Sequence, residues 1–340
     1  MDGQITNDAS PGPVANRRPG GVSPGRIRRA VVFRSLKIAI CAGLLFWIVM
    51  SADLAAVWAV MSKADPLLLV LAVAMQVLGA AIVALRWQRL LAVRGVTPGF
   101  RYLWTSTVSA FFFRQFLPSV VGGDAIRSYD AWRAGATPGF TALSLVVDRL
   151  FGLLTLIGFA AVAAVSMRRV VEGLPGLWLT TGIALAIVGG GLALLMLPGQ
   201  IPLPARSPAR LRRIVDGMRA FDGARGIVGP CLGLSILLQV NVVTFYWVLS
   251  QALGLGVPYG AFYAIVPIAI FAMMAPFTIN GIGVREVVFI FLLGLWGVDE
   301  SMALAFAWTE FAVILAAGLI GGAVYAIRKG AHPREGGDVP

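Results

Sequence analysis

Residues 66–85 read PLLLVLAVAMQVLGAAIVAL. Twenty consecutive positions without one Asp, Glu, Lys or Arg rise about 30 Å as an α-helix, the thickness of a bilayer's hydrocarbon core. A helix on a water-soluble protein keeps a polar face toward solvent, whereas this one is apolar all round, so its solvent is lipid. Pro66 suits the first helical position, where its missing N–H leaves no bond unmade.

Working outward, comparable runs occupy Val31 to Ser51, Phe140 to Ser166, Leu177 to Leu197, Ile227 to Leu253 and Ser301 to Ile327. The 340 residues are 58% hydrophobic and only 13% charged, against roughly 25% charged in soluble domains. Mean hydropathy is +0.84. These runs predict an all-α polytopic membrane protein with about six spanning helices.

The formal net charge of +12 would raise nucleic acid as a partner in a soluble protein, so the placement of the charge decides. One basic block runs through Arg17, Arg18, Arg26, Arg28, Arg29, Arg34 and Lys37, another through Arg206, Arg210, Arg212, Arg213, Arg219 and Arg225. Both flank long apolar runs, where Lys and Arg set topology and attract anionic headgroups. No nucleic-acid partner is expected. The same rule places both termini in the cytoplasm of a bacterial cell inner membrane, crossed several times. Residues 1–30 read as a disordered basic tail, 31–329 as one transmembrane domain and 330–340 as a second tail. Within the domain, halves 31–197 and 227–329 are joined by an amphipathic cytoplasmic linker, 198–226, in which Leu211, Ile214, Val215, Met218 and Phe221 recur at helical spacing opposite the arginines.

Two segments are too short and too broken to span. Tyr102 to Phe116 is apolar and ends at Leu117-Pro118, with Gly122, Gly123 and Asp124 before the charged run Ala125 to Gly135; Pro258 to Ala275 ends at Pro276, with Asn280, Gly281 and Gly283 before Val287 to Gly297. Side by side, Pro118 to Arg127 is PSVVGGDAIR and Pro276 to Glu286 is PFTINGIGVRE. Each is a proline, a short gap, glycines, then charge. The charge rule brings the first hairpin in from the cytoplasm and the second from outside, giving two re-entrant broken helices in a pseudo-inverted repeat. Paired interruptions of this kind point to a transporter's binding site near the midplane.

Such an elbow favours an anion, because glycine lets the backbone turn closely and the following half-helix offers unpaired N–H groups. Arg127 and Arg285 add donors suited to phosphate oxygens. The competing reading makes both elbows packing sites in which glycine admits a neighbouring helix. Ionisable residues at membrane depth default to function, so Asp148, Arg149, Arg285 and Glu286 join the candidate set. Cross-pairing is expected, Asp148 or Asp124 with Arg285 and Glu286 with Arg149 or Arg127. Gln76, Gln239 and Asn241 read as interhelical hydrogen-bond partners, and Glu310, inside the last span, as a proton site or a residue facing a polar cavity. The cysteines, Cys41 and Cys231, lie in apolar runs, and the single histidine, His332, lies in a polar tail. Histidine-based metal sites and triads are therefore excluded, and no cofactor is expected.

Leu117-Pro118, Gly122-Gly123-Asp124, Arg127, then Ser144 with Asp148-Arg149-Leu150, then Pro276 and Gly281-Ile282-Gly283-Val284-Arg285-Glu286, in that order, resemble the lysylphosphatidylglycerol synthase transmembrane family. That family includes the flippase half of the multiple peptide resistance factor, and the similarity runs from about Arg34 to Lys329. The resemblance implies a membrane domain that moves lipids between leaflets. Its best-known members add a soluble aminoacyl-transferase domain, so synthesis does not follow from the family name.

These readings converge on a lipid flippase or lipid-linked-intermediate transporter acting on an anionic headgroup, not itself an enzyme. The expected partners are the membrane and a phospholipid or other lipid headgroup, with a homodimer or a soluble synthase as open protein partners. Two alternatives are an intramembrane enzyme modifying a lipid headgroup, using Asp124, Asp148 or Glu286 as acid or base, and a scaffold for a soluble lipid-modifying synthase.

Overall fold

The computed structural model describes Met50, residues 53–116, 121–166, 224–274, 281 and 283–328, and the separate positions 182, 183, 186, 189 and 190. Among the described residues every regular element is helical: α1 (Leu54–Ser62), α2 (Pro66–Ala92), α3 (Phe100–Phe116), α4 (Val121–Arg133), α5 (Pro138–Ser166), α6 (Val228–Ala252), α7 (Phe262–Met273), α8 (Val284–Gly294) and α9 (Glu300–Arg328), with short 3-10 turns before α6 and α7. The protein is an all-α polytopic membrane protein. Four helices, α2, α5, α6 and α9, are long and apolar enough to cross a bilayer, and each falls on a run read as a span. The other two runs, Val31 to Ser51 and Leu177 to Leu197, lie outside the described residues apart from isolated positions, as do the linker before Ala224 and both tails.

Local chemistry starts the first two helices. The Asp53 carboxylate accepts the N–H groups of Ala55 and Ala56, and Asp65 accepts those of Leu67 and Leu68, supplying acceptors to donors that have no partner inside their own helix. Pro66 occupies the first helical turn. The Asp65 N–H donates to the carbonyl of Ala252 at 2.9 Å, which fixes the α1–α2 corner onto the end of α6.

The remaining helices are short. At 17, 13, 12 and 11 residues, α3, α4, α7 and α8 rise about 26, 20, 18 and 16 Å, below the roughly 30 Å of a hydrocarbon core. α3 and α4 fold back on each other so closely that a Cβ on Gly123 would stand 2.9 Å from the Ala110 carbonyl oxygen. α9 grips the outside of α3 in the same way: a Cβ on Gly321 would fall on the Val108 carbonyl, and one on Gly322 would come within 2.7 Å of the Phe112 ring. Small residues let helices approach where no hydrophobic effect drives them together.

Two buried clusters hold the bundle. One gathers Trp87, Leu90, Leu91, Leu103, Val147 and Phe151 from α2, α3 and α5. The other gathers α6 to α9 around Tyr246, Phe262, Phe289 and Phe306, with Phe289 and Phe306 edge to face at 5.0 Å, a favoured aromatic geometry. Asn241 joins α6 to α2 by donating from Nδ2 to the Met75 carbonyl at 3.1 Å, the interhelical role expected of it.

Candidate functional site

The first elbow leads into α4, whose opening turn holds Gly122 and Gly123, both buried. Gly123 is a packing residue, since its missing side chain is what admits Ala110. Asp124 pairs with Arg149 of α5 at a partly exposed position, the two side chains being 21% and 50% exposed. This exposure sets the pair apart from the buried ion pairs of the bundle.

One turn further on, Arg127 turns inward and is 5% exposed. Its Nη2 lies 3.3 Å from Asp148 Oδ2, and its guanidinium carbon sits 4.4 Å from the centre of the Trp87 ring, a cation–π arrangement that holds the planar group flat. Trp87 is fixed in turn by donating from Nε1 to Ser144 Oγ at 3.1 Å. Ser144 and Asp148 are four residues apart on α5 and so share one face. The second oxygen of Asp148 takes Arg86: Nε donates to Oδ1 at 2.7 Å, and Nη1 donates to Ser235 Oγ of α6 at 2.7 Å. The Ser235 hydroxyl in turn donates to the Cys231 carbonyl at 2.7 Å. Four helices thus converge on one carboxylate. Two buried guanidiniums share it, leaving one positive charge in surplus, and Arg127 Nε is buried without a hydrogen-bond partner among the described residues.

The second elbow has different chemistry. Gly281 and Gly283 have φ of +74° and +84°, backbone that side-chain-bearing residues rarely adopt, and they turn the chain into α8. Glu286 reaches back from the first turn, its Oε2 accepting the Gly283 N–H at 2.7 Å. A carboxylate of the chain itself therefore occupies the positive end of this helix. Arg285 points to α9, where Nη1 donates to Glu310 Oε2 at 2.9 Å, and its guanidinium lies 4.7 Å from the centre of the Phe311 ring. The other oxygen of Glu310 accepts the Tyr246 hydroxyl at 3.0 Å. Arg285, Glu286 and Glu310 are 4%, 4% and 2% exposed, so this cluster carries one negative charge in surplus.

The expected cross-pairs do not form. Asp148 pairs with Arg86 and Arg127, Asp124 with Arg149, and Arg285 with Glu310. Glu286 is diverted by the N–H three residues before it, a partner always within reach and needing no tertiary contact. Arg86 lies inside α2, which continues past the uncharged run to Ala92, and Arg328 joins α9 to Asp130 of α4. Pro118, Pro276 and Asn280 lie outside the described residues. Among those described, no group of three His, Cys, Asp or Glu side chains gathers as a metal site requires.

An open groove of about 640 Å³ runs between α2 and α9, lined by Val70, Val73 and Val77 on one wall and Thr309, Val313 and Ile320 on the other. Thr309 is the chain neighbour of Glu310. A family model described as the lysylphosphatidylglycerol synthase TM region matches residues 34–322. No curated protein matches the chain.

Proposed function

The chain belongs to the lysylphosphatidylglycerol synthase TM region family, and from that premise we propose that it is a bacterial inner-membrane transporter carrying lipids with anionic headgroups between leaflets. The observation that supports this reading is the buried surplus of positive charge at Arg86, Arg127 and Asp148. A lone cation at membrane depth is unfavourable unless something compensates it. A headgroup phosphate supplies the missing negative charge, and its oxygens match the planar donor fork of Arg127. The aliphatic groove between α2 and α9 offers the lipid's acyl chains a path that stays in apolar surroundings.

On this reading the two elbows, with Pro118, Gly122, Gly123, Asp124 and Arg149 in the first and Pro276, Asn280, Gly281 and Gly283 in the second, shape the passage. Arg127 and Arg285 meet the headgroup. The buried carboxylates Asp148 and Glu286 are each engaged by a guanidinium or a helix N-terminal N–H, an arrangement that suits charge balance better than catalysis on a headgroup. The experiment is leaflet-resolved movement of fluorescent phosphatidylglycerol in proteoliposomes, read with a membrane-impermeant quencher. The wild type accelerates movement over empty vesicles, and Arg127→Gln lowers the rate at least about tenfold, the effect of losing one charge-assisted contact. Equal rates in the two proteins overturn the proposed site.

A further inference from the structure

We infer that Glu310 is a proton-binding site that couples lipid movement to a proton gradient, with Arg285 exchanging between Glu310 and the lipid phosphate. The coupling rests on the lipid-transport reading above; the proton site itself stands on its own geometry. Two buried carboxylates, Glu286 and Glu310, share this cluster with one buried guanidinium, Arg285, which is paired with Glu310. Glu286 is committed to the α8 N-terminus through the Gly283 N–H. Glu310 sits in the third turn of the spanning helix α9, held by one cation and one hydroxyl, and is the carboxylate on which a proton best relieves the surplus.

The surroundings leave Glu310 little other influence. α9 packs against α1, α2, α3, α6 and α8. From α8 come Arg285 and Glu286, and from α6 Tyr246. α1 carries no titratable side chain. α2 carries Arg86, taken by Asp148, and Arg89. α3 carries Arg101, Tyr102 and Arg114, of which Tyr102 lies against Arg328 at the other end of α9.

The step balances without a further reactant. A proton from the aqueous phase adds to Glu310 Oε2, the ion pair to Arg285 breaks, and the guanidinium pairs with a phosphate monoanion entering with that proton. On the opposite side the phosphate leaves, Arg285 returns to Glu310, and the proton departs. One proton and one anionic headgroup cross together, so the cycle moves no net charge.

Two measurements on the full chain in liposomes test this. The first is pH-difference infrared spectroscopy, in which a buried carboxylic acid C=O band appears on acidification and is missing in Glu310→Gln; absence of the band from the wild type, or its persistence in the variant, overturns the proton site. Tyr246→Phe removes a donor to the carboxylate, so the band titrates at higher pH, by about one unit. An unchanged midpoint there also counts against the site. The second compares phosphatidylglycerol movement with and without an imposed pH gradient. The wild-type rate rises several-fold when the lipid moves toward the alkaline side, whereas Glu310→Gln moves lipid at one rate in both conditions. Movement indifferent to the gradient in the wild type overturns the coupling and leaves lipid transport standing, and a titrating band without lipid movement overturns the transport reading instead.

Discussion

Asp148→Asn is the substitution whose outcome the structure constrains most tightly. The carboxylate accepts from Arg86 at 2.7 Å and from Arg127 at 3.3 Å, and all three side chains are at most 6% exposed. Asparagine preserves the volume and one acceptor oxygen, so the main loss is charge. Each guanidinium–carboxylate attraction amounts to about 4 kcal/mol at 4 Å in a partly screened interior, and the repulsion between the two arginines, no longer offset, adds to the loss. Solvation recovered by local opening reduces the sum, and removal of one partner from a buried pair has a typical net effect of about 3–5 kcal/mol. At roughly 2–4 °C per kcal/mol for a chain of this class, Tm falls on the order of 10 °C. Thermal unfolding of purified protein, followed by size-exclusion recovery after heating, reads it directly. Adding Arg127→Leu to the variant removes the orphaned charge and restores about half of the loss, the non-additivity expected of groups in contact. A fall in Tm below about 2 °C for Asp148→Asn, or strict additivity in the double variant, refutes the argument that two arginines depend on this one carboxylate.

Three further outcomes are expected. Asp124→Ala, by contrast, breaks only a partly exposed pair and shifts stability by no more than about 1 kcal/mol, which the same thermal assay resolves from the Asp148 effect. Gly321→Ala drives a methyl into the Val108 carbonyl between two backbones that cannot separate locally, so about 1–3 kcal/mol of overpacking lowers both Tm and the monodisperse yield. Ala316→Trp fills the groove between α2 and α9 that Ala316 lines; phosphatidylglycerol movement falls at least about fivefold while Tm stays within about 2 °C of wild type, and unimpaired movement removes the groove from the lipid path.

The sequence made the spans legible wherever apolarity alone decides. α2, α5, α6 and α9 fall on runs visible without a structure, because in lipid every backbone group must be satisfied within the segment. α2 shows the limit of that reading. Its uncharged run stops at Leu85, yet the helix continues to Ala92 with Trp87, Leu90 and Leu91 fully buried. The apolar spacing after Arg86 was the available signal, and the partner that makes the burial tolerable, Asp148, lies 62 positions away. Charged residues inside apolar runs are visible by type, whereas their pairing is not, since pairing depends on which helices touch. Glu286 is an exception: a carboxylate three residues after Gly283 is a local capping pattern legible from spacing alone. Gly123 and Gly281 look alike in sequence but differ in role, one admitting a neighbouring carbonyl and the other supplying a left-handed turn. Composition around a glycine does not separate these cases.

The grip of α9 on the first hairpin also bears on biosynthesis. α3 reaches its close contacts through Gly321 and Gly322, and α4 is tied to the same helix by Arg328 and Asp130, yet α9 follows every other described helix in the chain. A nascent protein with eight of these helices already in the bilayer still has an unclasped hairpin and an unpaired Asp130. Maturation therefore waits on the final helix to leave the translocon. A chain stopped before residue 300 has neither the glycine contacts to α3 nor the Arg328 partner of Asp130, however well its earlier segments have inserted.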